Sequence, residues 1–89
     1  MYQIRTTEKF NKEFKKLDKP EQKILKSWID KNISGTNDPR SKGKALKGKL
    51  KTFWRYRIGD YRLICIIEDD ELIITAISVR HRRIYKSRN

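Results

Sequence analysis

Apolar residues return at helical intervals in the first third of the chain and at strand intervals in the second half. Phe10, Phe14 and Leu17 stand at i, i+4 and i+7, one stripe along a helix whose remaining faces are lysine-rich. Thr6 or Thr7 can cap this helix, and Glu8 falls in its first turn, where the backbone dipole favours an anion. Asp18-Lys19-Pro20-Glu21 predicts a second helix start. Asp18 can cap, Pro20 lacks an N–H that a first turn does not use, and Glu21 can reach back as in a capping box. Ile24, Leu25, Trp28, Ile29 and Ile33 form the apolar face of this helix, and Ser34-Gly35 ends it. So short a connection predicts an antiparallel helical hairpin.

From Gly35 to Lys49 the period disappears into GTNDPRSKGKALKGK, read as a loop anchored by Leu46 and by Leu50 just beyond it. Phe53-Trp54-Arg55-Tyr56-Arg57-Ile58 then alternates bulky and cationic residues at strand period, Trp54, Tyr56 and Ile58 on one face and Arg55 and Arg57 on the other. Gly59-Asp60 reads as a tight turn into a second strand, Tyr61-Arg62 followed by Leu63 to Ile67, apolar enough for burial on both faces. After an acidic turn at 68–71, the β-branched run from Leu72 to Val79 predicts a central strand. Tyr2 to Arg5 is a short alternating first strand. The expected architecture is α+β in one domain, residues 1–89: an antiparallel sheet with the two helices packed on one face. The opposite face is left to the cationic hairpin.

Charge changes the picture more than composition does. The 89 residues carry 23 Lys+Arg against 11 Asp+Glu, a formal net charge of +12, which points to a nucleic acid, an acidic protein or an anionic surface as partner. No window approaches the ~18 apolar residues of a membrane span, and no signal peptide opens the chain, so a cytoplasmic protein without a membrane partner is expected. Cys65, the single cysteine, falls in an apolar run and reads as inert core. With one His and one Cys, and without a Walker or dinucleotide glycine motif, the chain offers no ordinary zinc or nucleotide site; no metal and no cofactor is expected.

The remaining chemistry is cationic, aromatic and hydroxylic. Three arginines, Arg55, Arg57 and Arg62, surround one hairpin, and like charges so close repel. Folding gives no reason to gather them; an anionic ligand does. Lys42, Lys44, Lys47, Lys49 and Lys51 precede the hairpin, and Arg80, His81, Arg82, Arg83 and Tyr85 close the chain. The lysines are either solvated or grip an anionic partner. Trp54 and Tyr56, opposite the arginines, read as core rather than as base-stacking rings, whereas Tyr85 has little apolar pattern around it. A phosphodiester of RNA can be cleaved without metal when its 2′-OH attacks the adjacent phosphorus, provided that guanidiniums stabilise the phosphorane and two protons are moved. His81 alone has a reference pKa suited to proton transfer, and a merely orienting role is its alternative.

With these residues in view the chain resembles RelE-type toxins of the RelE/ParE toxin–antitoxin superfamily. The string DPRSKGKALKGKLKTFWRYRIGDYRLICII and the closing ISVRHRRIYK are the most specific parts, and the similarity spans nearly the whole length. It implies a β-α-α-β-β-β fold and a ribosome-dependent endoribonuclease that cuts mRNA in the A site by 2′-OH attack. It also implies a toxin monomeric by itself and neutralised in a hetero-oligomer by an acidic RelB-like antitoxin. By the same resemblance Arg55, Arg57 and Arg62 bind the scissile phosphate, Arg82 acts at the leaving oxygen, and Tyr85 positions or deprotonates the 2′-OH. His81 could take over proton transfer, because the strand pair that is lysine in familiar members is arginine here. Lys42, Lys44, Lys47, Lys49, Lys51 and Arg83 would contact mRNA or ribosomal RNA. Two alternatives keep the fold without the reaction: a ParE-like gyrase inhibitor, and a basic RNA-binding module.

Overall fold

The computed structural model describes residues 1–46 and 53–82. The elements are β1 (Gln3–Thr6), α1 (Glu8–Lys15), α2 (Lys19–Asn32), β2 (Lys44–Ala45), β3 (Phe53–Ile58), β4 (Tyr61–Glu68) and β5 (Ile73–His81). They build one five-stranded sheet in the order β1-β5-β4-β3-β2 with two helices, the α+β class expected. Two features of the sheet differ from expectation. β1 runs parallel to β5, Gln3 opposite Ile73 and Thr6 opposite Ala76, so the sheet is mixed. No tight turn joins these two strands, and nothing local imposes the antiparallel direction that hairpins impose on β3, β4 and β5. The second is β2, an edge strand inside the stretch read as loop, with Lys44 opposite Arg55 and Ala45 opposite Trp54.

Thr7 caps α1. Its hydroxyl accepts from the Phe10 amide at 3.1 Å and lies 3.2 Å from the Ala76 and Ile77 carbonyls of β5, so the cap also pins the helix to the sheet. At the start of α2, Asp18 occupies the cap position without a side-chain bond. Glu21 does not close a capping box either; the Tyr61 hydroxyl donates to its carboxylate at 2.7 Å and draws it to the sheet. Gln22 closes the helical hairpin by donating to the Phe14 carbonyl in the last turn of α1 and the Leu17 carbonyl just beyond it, at 3.1 and 2.8 Å.

The core lies between the helices and one face of the sheet. Leu25 and Ile33 meet Tyr56, Ile58, Leu63, Cys65, Ile74, Ala76 and Val79, all buried, and Trp28 packs on the Tyr56 ring at 5.6 Å. Trp54 and Tyr56 belong to this side. Ile24, expected on the apolar face of α2, is instead 61% exposed; it stands about 100° around the helix from Leu25. Leu72, expected to open the last strand, holds φ at 55° in the preceding turn and is exposed. β4 is not buried on both faces: Leu63 and Cys65 are, but Ile64 and Ile66 on the opposite face stay partly open.

The loop before β2 is strapped to β3. The Tyr56 hydroxyl donates to the Pro39 carbonyl, the Trp54 indole N–H donates to the Lys42 carbonyl at 2.7 Å, and the Leu46 amide donates to the Phe53 carbonyl at 3.1 Å. Gly43, at φ 87°, makes this approach possible. A Cβ there would lie 2.6 Å from Trp54 Nε1 and against the Arg55 carbonyl. Gly43→Ala should therefore lower stability by at least ~1–2 kcal/mol from the left-handed backbone alone. The checks are a melting temperature lower by ~5 °C or more and faster hydrogen exchange of the Trp54 indole N–H.

Candidate functional site

Opposite the helices the sheet carries guanidiniums in a transverse row. Arg57 on β3 stands across from Arg62 on β4, and Arg62 stands across from Arg80 on β5. In the next row, Lys44 of β2 faces Arg55, followed by Ile64 and Ser78. Like charges directly opposite each other destabilise a sheet, so the surface accumulates positive charge against its own stability. Residue alternation on β3 and β4 produces these rows; on β5 a bulge contributes. The register shifts between Ile64 and Cys65, whose partners are Ser78 and Ala76, so Ile77 is the extra residue. Ile77 and Ser78 then both line the open side, a re-aiming that bulges commonly accomplish.

The result is a groove of about 600 Å³. Phe53, Ile64, Ile77 and Leu46 supply its apolar surface; Arg55, Arg62, Arg80 and Arg82 supply charge, and Lys9 and Ser78 stand at the α1 side. Arg82 reaches it because its amide donates to the Asp60 carbonyl at 2.7 Å, which fastens the end of β5 to the β3–β4 turn. Of the residues singled out in the sequence, Arg55, Arg62 and Arg82 thus come together. Arg57 does not join them; it lines a second hollow of about 470 Å³ at the sheet edge, with Lys42, Lys44, Trp28, Asn32 and Arg55. His81 stands on the other face of the sheet, edge-on to the Tyr61 ring at 5.1 Å, because its neighbours Arg80 and Arg82 point into the groove. Lys47, Lys49, Lys51, Arg83 and Tyr85 lie outside the described residues. Among the described residues no three His, Cys, Asp or Glu side chains come together as a metal ion would require.

Sequence reading missed the wall formed by α1. Glu13 Oε1 accepts from the Ser78 hydroxyl at 2.8 Å and the Val79 amide at 2.9 Å, while Oε2 meets Lys9 Nζ and Arg80 Nε, each at 3.1 Å. Burial pushes the Glu13 carboxyl upward, but the Val79, Ser78, Lys9 and Arg80 donors outweigh it and hold it below the ordinary glutamate value. A depressed carboxyl stabilises the fold above its unfolded pKa, and that stabilisation disappears as pH falls through the folded value. Melting temperature should accordingly drop as pH is lowered from ~4.3, and Glu13→Gln should flatten part of this drop in a pH series of thermal melts. Arg40 plays no part in the groove. It bonds Asp69 at 2.9 Å and lies 5.8 Å over the Trp54 ring. The thiol of Cys65, fully buried in the core, is pushed up to about 12 by that burial and is no nucleophile.

The model for the ParE toxin of the parDE type II toxin–antitoxin system matches residues 4–84. The chain belongs to this toxin family, within the RelE/ParE superfamily. No curated protein sequence gives a significant match. Solved structures place the fold beside RelE proteins. The RelBE2 toxin–antitoxin complex of Mycobacterium tuberculosis contains a chain 26% identical, with a TM-score of 0.83 over 91% of this chain and 98% of that one. A chain in the intact RelBE complex of Escherichia coli superposes with a TM-score of 0.74 at 23% identity, covering 91% of this chain and 96% of that one. The archaeal RelE–RelB complex of Pyrococcus horikoshii gives 0.69 at 21%, over 91% and 94%. The ParE-family toxin therefore has the RelE architecture. Among its described residues no helix is long and apolar enough to cross a membrane.

Proposed function

We propose that this toxin is a ribosome-dependent endoribonuclease that cuts mRNA in the A site without a metal. The observation carrying this reading is the gathering of Arg55, Arg62 and Arg82 in one groove with an apolar floor. In the reaction the 2′-oxygen forms a bond to phosphorus as the P–O5′ bond breaks, giving a 2′,3′-cyclic phosphate and a 5′-hydroxyl. One proton leaves the 2′-OH and one arrives at the 5′-oxygen. The phosphorane between them carries an extra negative charge, and guanidiniums suit that charge because they stay protonated and fork onto two oxygens. The Phe53 ring offers an apolar surface to a base or ribose. His81 faces away from this groove, so we assign the 2′-OH proton to Tyr85, with Tyr85→Phe as the variant that tests it. Arg57, Lys42 and Lys44 hold neighbouring RNA in this reading, and an acidic RelB-like antitoxin neutralises the toxin. Mapping the 5′ ends of cellular mRNA after brief induction tests it: cuts should appear within translated codons and vanish when ribosomes are absent. Cleavage of the same transcripts without ribosomes defeats it.

A second reading, gyrase inhibition, is favoured by the matching family model, which is that of ParE. Growth arrest with intact mRNA, a DNA-damage response and inhibited supercoiling by purified gyrase would select it.

A further inference from the structure

We infer that Arg80 is an additional RNA-phosphate ligand of the groove and that Glu13 is its positioning residue. This rests on the nucleic-acid reading of the groove proposed above. Arg80 lies directly across β4–β5 from Arg62 and lines the same groove as Arg55 and Arg82. At Arg80 the repulsion of such a pair is offset by Glu13, whose Oε2 accepts from Arg80 Nε at 3.1 Å. That contact uses one of five guanidinium N–H groups, and the terminal nitrogens carry the other four in a fork suited to a phosphate. Glu13 is itself fixed, since its other oxygen holds the Ser78 hydroxyl and the Val79 amide. Its side chain is 18% exposed, against 41% for Arg80. The carboxylate thus sits behind the arginine and the guanidinium in front, an arrangement that narrows the rotamers of a long side chain before ligand arrives. A bond serving only to close the sheet edge would need Val79 and Ser78 but not a second cation in the groove.

Glu13→Gln separates positioning from bulk charge, because the two predict opposite signs. The amide keeps an acceptor at the Oε1 position for Ser78 and Val79 and turns the Oε2 position, facing Arg80, into a donor. Removing a negative charge should by itself tighten binding of an anion; loss of positioning should weaken it. The measurement is titration of the full chain with a fluorescent ten-nucleotide 2′-O-methyl RNA, which cannot undergo 2′-OH attack, at several KCl concentrations. Arg80→Ala should weaken binding about tenfold or more and reduce the salt slope by about 0.7, one phosphate on a single strand. Glu13→Gln should also weaken binding, and should weaken it no further in the Arg80→Ala background. Arg80→Lys, which keeps the charge but lacks the fork, should fall between wild type and Arg80→Ala, and it leaves Glu13 intact should Glu13→Gln fail to fold. Tighter or unchanged binding by a folded Glu13→Gln overturns the positioning role. An unchanged salt slope in Arg80→Ala, or no wild-type binding, overturns the whole inference. Because this RNA cannot react, the result stands apart from cleavage: a chain that binds through Arg80 yet leaves translated messages intact would defeat only the nuclease reading.

Discussion

On the proposed nuclease reading, Arg82→Ala should slow mRNA cleavage by about 10²–10³-fold, the ~3–4 kcal/mol that one preorganised donor to a developing negative charge commonly contributes. The fold should hardly notice. The residue is exposed, and its tie to the β3–β4 turn is made by its backbone amide, donating to the Asp60 carbonyl, which the substitution keeps. Exposed replacements of this kind usually stay within ~0.5 kcal/mol, about 2–4 °C in melting temperature for a domain of this size. Arg82→Lys should recover part of the rate, since an ammonium keeps the charge but cannot fork onto two phosphate oxygens. The measurements are cleavage of a defined message on programmed ribosomes and a thermal melt of the same preparation. A folded Arg82→Ala protein that cuts at the wild-type rate would remove Arg82 from the chemistry.

Leu63→Ala should do the reverse, destroying the fold before it touches the groove. Leu63 is 0% exposed and lies between Tyr56 and Val79 across the three adjacent strands, under the helices. Truncating a leucine so enclosed costs ~2–5 kcal/mol, because the lost contacts leave a cavity that the sheet cannot close. A domain of this length has only ~5–10 kcal/mol in hand. Melting temperature should fall by ~10 °C or more, and toxicity should fall with the amount of folded protein. The distinguishing measurement is cleavage per folded molecule at low temperature, which should remain near wild type, in contrast to Arg82→Ala. Leu63→Ala melting within ~2 °C of wild type would show that the core is not organised around β4.

The sequence alone determined the two helices, the three long strands and the positive charge of the chain itself. Phe10 and Phe14 required a helix, which ends before Leu17, the alternation from Phe53 to Ile58 required a strand, and Arg55 and Arg57 had to leave the core because Trp54 and Tyr56 entered it. These are local consequences of 3.6- and 2-residue periods, and neighbouring residues decide them. Which cations meet was decided by the tertiary structure alone. Strand register sets Arg62 between Arg57 and Arg80, while the sheet edge takes Arg57 into a different hollow from Arg55's main groove. Alternation along β5 separates His81 from Arg80 and Arg82, and this was legible once the strand was extended through His81. The bulge at Ile77 was not, since it answers to a register mismatch between strands. Nor was Glu13, one acid on a lysine-rich helix, whose importance appears only when α1 lies along β5 and brings it to Arg80, 67 residues away in the chain. Periodicity is a property of a segment, whereas a binding site is made of distances between segments, and only packing sets those.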